Sequence, residues 1–345
     1  MKTASRWLTA FSVLPAAIFG ILSANAIPVE NSGQILEPAK PPEPSLVLGN
    51  EACVKCHTAE VQVWKKTPHA STFEQLHRKP EAKTIASKLG LNSIKNSGRC
   101  VACHYTQQQT ADATTRVISG VSCESCHGAA KNWMAIHHDF GGEDFTRLDE
   151  SPTHRVQRIA ASVKAGMRNP KNLYSMAQSC LRCHTTADEE LVNVGGHPAG
   201  SLDFEFVSWS QGLVRHNFLN SDGKINELSS PERLRTMFVA GMIAELEASL
   251  RATALATEKA TYGITSAQRA ARAGARLASI QQKVDSPEVA KIVEIFKSIQ
   301  LKLNNESQLT NAANQIAELG YKFAETTETD LSPLDRFIPG RDLYK

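Results

Sequence analysis

The chain has 345 residues, 38 Lys and Arg against 35 Asp and Glu, and a net charge of +3. That near balance excludes the basic excess of a nucleic-acid-binding protein. Beyond the N-terminus no stretch approaches 18 consecutive apolar residues, which excludes a later membrane span.

In chain order, Lys2 and Arg6 form a basic start, Trp7 to Leu22 an apolar run, and Ala24-Asn25-Ala26 a small-residue cleavage site. This is the pattern of an export signal over residues 1–26. The run is short for a membrane span and Pro15 interrupts it, so a retained anchor is the competing reading. Cleavage removes Lys2 and Arg6 and leaves 36 basic against 35 acidic residues. Residues 27–48 carry Pro28, Pro38, Pro41, Pro42 and Pro44 without periodicity, as expected of an extended linker or of an arm lying on the domain.

Residues 49–225 hold all eight cysteines, every one in a Cys-x-x-Cys-His run. The runs are Cys53/Cys56/His57, Cys100/Cys103/His104, Cys123/Cys126/His127 and Cys180/Cys183/His184. Two intervening residues set both sulfurs along one edge of a helical turn, spaced for two thioether bonds to a porphyrin, and the next imidazole points at the metal. Zinc ribbons do not require His after the second Cys, a thioredoxin-like site needs one copy, and disulfides do not explain a constant spacing. The motifs therefore imply four covalently attached haem c groups, and covalent attachment outside the cytoplasm agrees with an export signal. The expected compartment is the periplasm of a Gram-negative bacterium or its equivalent. The fold expected here is mainly α, sparse in regular structure and wrapped around its haems. The short interval from His104 to Cys123 makes the second and third motifs near neighbours.

Seven further histidines remain: His69, His77, His137, His138, His154, His197 and His216. Low-spin haem needs a second strong ligand, and all seven lie before residue 226, which favours ligation for several. The residues after His57 look helical and leave on the proximal side of their own haem, so His69 serves a different one; the same holds for His137. Such cross-ligation makes metal binding and folding inseparable.

Two segments carry a family resemblance: Cys53 to His57 continued through Trp64-Lys-Lys-Thr-Pro-His69-Ala, and Gly120-Val-Ser-Cys123-Glu-Ser-Cys126-His127-Gly128. Both resemble the cytochrome c-554 family of periplasmic tetrahaem carriers, associated in ammonia oxidisers with hydroxylamine oxidation. The resemblance spans residues 49 to about 220. It implies that His69 serves the haem of Cys180/Cys183, His137 that of Cys53/Cys56, and His216 that of Cys123/Cys126. It also implies a five-coordinate second-motif haem held by His104 alone. This sequence departs there: His197, in Gly195-Gly196-His197-Pro198, belongs to the segment expected near that open face. It is either the missing ligand or a loop histidine beside an open iron. His138 is the rival to His137, and His77 and His154 read as surface residues.

Residues 226–345 lack Cys and His and read as an antiparallel helical bundle. Ser230-Pro231-Glu232 and Ser286-Pro287-Glu288 are helix starts. Apolar stripes follow at Phe238, Met242, Leu246 and Leu250; at Ala273, Leu277, Ile280 and Val284; at Val289, Ile292, Phe296, Ile299 and Leu303; and at Leu309, Ala313, Ile316, Gly320 and Phe323. Arg269, Arg272 and Arg276 form a basic row, read foremost as a solvated face and otherwise as a docking patch for an acidic partner or haem propionates.

Two functions compete. The preferred one is an electron carrier between a donor and an acceptor protein, in nitrogen-compound oxidation or respiration, with bis-His irons closed to small molecules. The alternative is a haem enzyme reducing nitric oxide, nitrite or hydroxylamine at an open second-motif iron. The Ala-rich bundle is a candidate homodimer interface or docking face for a larger complex.

Overall fold

A computed structural model describes residues 40–325 and 329–345. The expected signal sequence and most of the linker lie outside the described residues. The remainder of the linker makes a short turn at Pro44–Leu46 and buries Val47. Among the described residues no helix is long and apolar enough to cross a membrane.

The fold is mainly α, with one two-stranded hairpin among the described residues. Short helices α1 (Asn50–Val54), α2 (Thr58–Trp64), α3 (Pro68–Gln75), α4 (Pro80–Lys88) and α5 (Gly98–His104) precede β1 (Thr106–Gln109) and β2 (Thr115–Ser119). Then come α6 (Cys123–His127), α7 (Met134–His137), α8 (Pro152–Lys164), α9 (Leu173–His184), α10 (Glu189–Asn193) and α11 (Phe206–Ser210). Four longer helices complete the chain: α12 (Pro231–Ala254), α13 (Thr261–Gln281), α14 (Pro287–Ser298) and α15 (Glu306–Glu325).

One local device recurs. Helices α3, α8, α12 and α14 each open with a hydroxyl residue followed by Pro: Thr67, Ser151, Ser230 and Ser286 accept the backbone N–H of Ala70, His154, Arg233 and Val289. The cap satisfies an orphan donor while Pro presets the first helical φ. Motifs two, three and four form the last turn of α5, α6 and α9. In the first motif α1 ends at Val54, so Cys56 lies past the helix and His57 becomes the residue before α2.

The main core lies towards the C-terminal half. Helix α12 is central, packed by α9, α11, α13 and α15, while α14 bridges α13 and α15. It is consequently buried on all sides, with Val239, Ala240, Ile243, Ala244, Leu246 and Leu250 each fully enclosed. The single apolar stripe expected for it is corrected in that sense. Chain composition changes near residue 226, yet the core runs across that point, because Leu173, Tyr174, Ala177 and Leu181 of α9 belong to the same cluster. Val284, Ile299 and Leu303 fall just outside their helices.

The basic row on α13 also needs correction. Arg269 is 1% exposed, whereas Arg272 and Arg276 are exposed. Ser266, Arg269, Ala270, Ala273 and Leu277 recur at helical spacing on the buried face. Arg269 thus turns inward.

Candidate haem-binding centre

The structure sets each motif histidine opposite a second imidazole. His57 faces His137 with ring centroids 6.4 Å apart, His69 faces His184 at 6.2 Å, His104 faces His197 at 6.2 Å, and His127 faces His216 at 6.1 Å. Two imidazoles bound trans to one metal, with metal–nitrogen bonds of about 2 Å and nitrogen-to-centroid distances of about 1.1 Å, have centroids about 6.2 Å apart. The four separations match that length.

The hydrogen bonds select the tautomer a metal ligand needs. Nδ1 of His127 lies 3.3 Å from the Arg168 carbonyl, that of His197 2.8 Å from Pro198, and that of His216 2.6 Å from Val214. Nδ1 of His137 likewise lies on the Met134 carbonyl. A carbonyl only accepts, so Nδ1 carries the proton and donates, leaving the Nε2 lone pair free. Burial pushes His104, His127 and His184 down to about 4, and it lowers His69 and His137 as well. At neutral pH these rings are uncharged, as ligation requires.

Thiols of different motifs adjoin. The Cys53 thiol neighbours that of Cys123, and the Cys103 thiol that of Cys183. The attachment edges of motifs one and three therefore meet, as do those of motifs two and four. Motifs two and three are also linked, since the Thr106 hydroxyl after His104 contacts Ser122 and Ser125 at 3.0 Å each. The neighbourhood expected from the short interval exists in the backbone, while the β1–β2 hairpin takes up the chain and the thiols pair otherwise.

Cys56 differs from the other motif cysteines in exposure. It is exposed, whereas the other seven cysteines are half-buried. The first motif still closes a helical turn, since the His57 N–H donates to the Cys53 carbonyl at 3.0 Å, four residues back. The turn tightens past Val54, where the Cys56 N–H shares the same carbonyl at 3.3 Å, three residues back. His216 is likewise exposed, although its ring stands opposite His127.

A cavity of about 590 Å³ is shared by the second and fourth motifs and lined by His69, Cys100, His104, Cys180, His184 and His197. Its wall is largely apolar (Leu76, Ile85, Ile94, Phe204), as suits a macrocycle. The residues present fit four haem c groups in donor type, tautomer and spacing.

Long-range contacts hold the imidazoles in place. Thr72 on α3 donates to the carbonyls of His69 and His104 at 2.8 and 2.7 Å. Gly120 passes so close that a Cβ would lie 2.3 Å from the His69 carbonyl. Arg158 on α8 donates to the His137 carbonyl and forms a two-pronged pair with Glu150 at 2.6 Å per contact. Glu124, inside the third motif, is 1% exposed and accepts the N–H groups of Leu48, Gly49 and Ala130. It thereby ties the start of the first motif to the third. Ser201 lies 2.9 Å from His184 Nδ1, and Phe204 and Trp209 pack on that ring. Arg182, between the cysteines of the fourth motif, donates to the Ala102 carbonyl of the second. Sequence reasoning singled out none of these partners. The acidic residue within Cys123-Glu-Ser-Cys126 was the one visible signal.

The other histidines stand apart. His138 is exposed and turned to the Met134 carbonyl, and His154 is held at 2.8 Å by Glu150. His77 departs from its surface reading, since its Nδ1 is enclosed and has no hydrogen-bond partner.

Helical ends bearing attachment motifs, set against paired imidazoles, define a c-type cytochrome. The family model for cytochrome c554 and c-prime matches residues 52–128. The chain is 35% identical over 127 residues to cytochrome c-554 of Nitrosomonas europaea, a stretch covering 35% of this chain and 52% of that protein. The similarity thus spans about half the length of that relative. No solved structure matches the chain.

Proposed function

We propose that the protein is a periplasmic tetrahaem c-type cytochrome that carries electrons between two redox proteins. Haem iron, when bound, supplies one-electron chemistry by alternating between ferrous and ferric states. Cys53 and Cys56, Cys100 and Cys103, Cys123 and Cys126, and Cys180 and Cys183 form the thioethers. The imidazole pairs His57/His137, His104/His197, His127/His216 and His184/His69 would hold the irons. Residues 49–225 bear the haems and residues 226–345 form the helical part, which docks onto a larger complex or a second copy.

One observation carries the reading. The 6.2 Å separation of His104 and His197 equals that of His69 and His184. This separation supports His197 as a second imidazole for the iron that the family resemblance leaves open, which would close that iron to nitric oxide, nitrite and hydroxylamine. The adjoining thiols support close electron exchange within two pairs of motifs: Cys53 meets Cys123, and Cys183 meets Cys103. The periplasmic assignment is supported by the export-type N-terminus, and service in nitrogen-compound oxidation or respiration by the likeness to the Nitrosomonas protein.

Electron paramagnetic resonance of the oxidised protein tests the proposal. Only low-spin signals are expected, with no carbon monoxide binding after reduction, and His197→Ala should turn one of four haems high-spin and open it to carbon monoxide. A high-spin haem in the unaltered protein would return the enzyme reading.

A further inference from the structure

The fourth motif is touched by a charge from outside the haem-bearing segment. Arg269 of α13 is 1% exposed, and its Nη1 donates to the His184 carbonyl at 3.0 Å. The approach depends on Gly200, where a Cβ would fall 2.2 Å from Nη1 and 2.6 Å from that same carbonyl. Nη2 is enclosed and makes no hydrogen bond. The counter-charge is more weakly placed: Glu245 Oε1 is 3.5 Å from Nε, on the side away from the donor that reaches His184. An arginine stays ionised even when buried, and a buried charge is poorly screened.

The first motif meets the opposite sign. Glu60 Oε1 lies 3.6 Å from His57 Nδ1, and Glu124 is buried within the field of Cys53. A carboxylate beside a ligating imidazole raises its basicity and favours ferric iron. A cation beside the ligand favours the extra electron of ferrous iron by the same Coulomb argument.

We propose that Arg269, supplied by the C-terminal helical region, raises the reduction potential of the haem site built on Cys180, Cys183, His184 and His69, making it the high-potential end of the set. The first-motif site, with Glu60 beside His57, takes the opposite shift. This rests on the haem reading above and gives the helical region a redox role that docking alone does not.

Potentiometric titration of the holoprotein, followed optically and by paramagnetic resonance, tests it. Arg269→Met should lower the highest of the four midpoint potentials by at least 59 mV, a tenfold change in the reduced-to-oxidised ratio for one electron. Arg269→Lys keeps the charge but loses the guanidinium geometry, and should restore most of the shift. Glu245→Gln, on a more accessible side chain, should move the same potential upward, which keeps the test open if Arg269→Met does not fold. Unmoved potentials in Arg269→Met or Glu245→Gln, or equal shifts in the Met and Lys variants, would overturn the proposal. Absence of haem mass on the peptide containing Cys180 and Cys183 would instead overturn the haem reading itself.

Discussion

Residues 49–225 and residues 226–345 are stabilised in different ways. The helical part shares with α9 and α11 a continuous apolar cluster in which α12 is enclosed on every side. The haem-bearing part has little of this: its own cluster comprises Ala86, Ile94, Val101 and Tyr105. Among the described residues, nine of the thirteen large apolar side chains that stay exposed, from Phe145 to Ile225, also fall there. What organises that part is a set of hydrogen bonds to histidine carbonyls and Nδ1 atoms. A segment built in this way depends on its ligands for folding, as small metal-dependent domains do. A segment built on apolar burial does not.

The largest expected effect follows directly. Replacing all eight cysteines by serine should abolish slow hydrogen exchange through α1–α7 while leaving it in α12, α13 and α15. Equal loss of protection in both parts would show that the comparison is wrong. Within the helical part, Leu246→Ala removes a fully buried side chain from the central helix and should cost about 2–5 kcal/mol in thermal or denaturant unfolding. Gly320→Val tests the opposite error, since any Cβ there meets the Tyr174 ring at 2.4 Å. Overpacking of this kind costs about 1–3 kcal/mol. Neither change should alter the low-spin haem spectrum.

A smaller effect is expected at Arg158 and Glu150, which reach His137 from a different stretch of chain. Arg158, with a hydrogen bond from His154, holds the Glu150 carboxyl down to about 2, against an ordinary value of 4.5. A depressed carboxylate stabilises the fold above its unfolded value and loses that contribution as pH falls through the folded one. The first-motif axial pair should therefore loosen between pH 4.5 and about 2, read as loss of one low-spin signal. Glu150→Gln should show the weakened signal already at neutral pH and no further step in that window. A step that persists in this variant would assign the transition to other carboxylates.

Legibility followed the range of the interactions. The attachment motifs and the Ser230-Pro231 and Ser286-Pro287 helix starts could be read because each depends on neighbours within four residues. The pairing of His69, His137, His197 and His216 with particular motifs was reached through family resemblance and chain order, not periodicity. Arg269 was misread because a basic row on an amphipathic helix looks solvated until the opposing chain is known. Here that chain is the Gly200 turn. Arg158, Glu150 and Glu124 act across separations of 21 to 76 residues on His137 and Leu48, and nothing local marks them.

The smallest expected effect bears on the boundary between the two parts. Ser230 caps α12 just after the last histidine-bearing loop, accepting the Arg233 N–H at 3.3 Å in an exposed setting. Ser230→Ala should cost about 1 kcal/mol, since one orphan donor loses its partner to water. Ser286 makes the equivalent bond to Val289 at 3.3 Å but is only 2% exposed, so water cannot replace it as well. Ser286→Ala should cost more, towards about 2 kcal/mol. Because α12 begins outside the haem-bearing part yet forms the floor under α9, Ser230→Ala should lower the unfolding midpoint of helix and Soret signals together. If the Soret transition stays fixed while helix unfolding shifts, the two parts unfold independently and α9 follows its haem rather than α12.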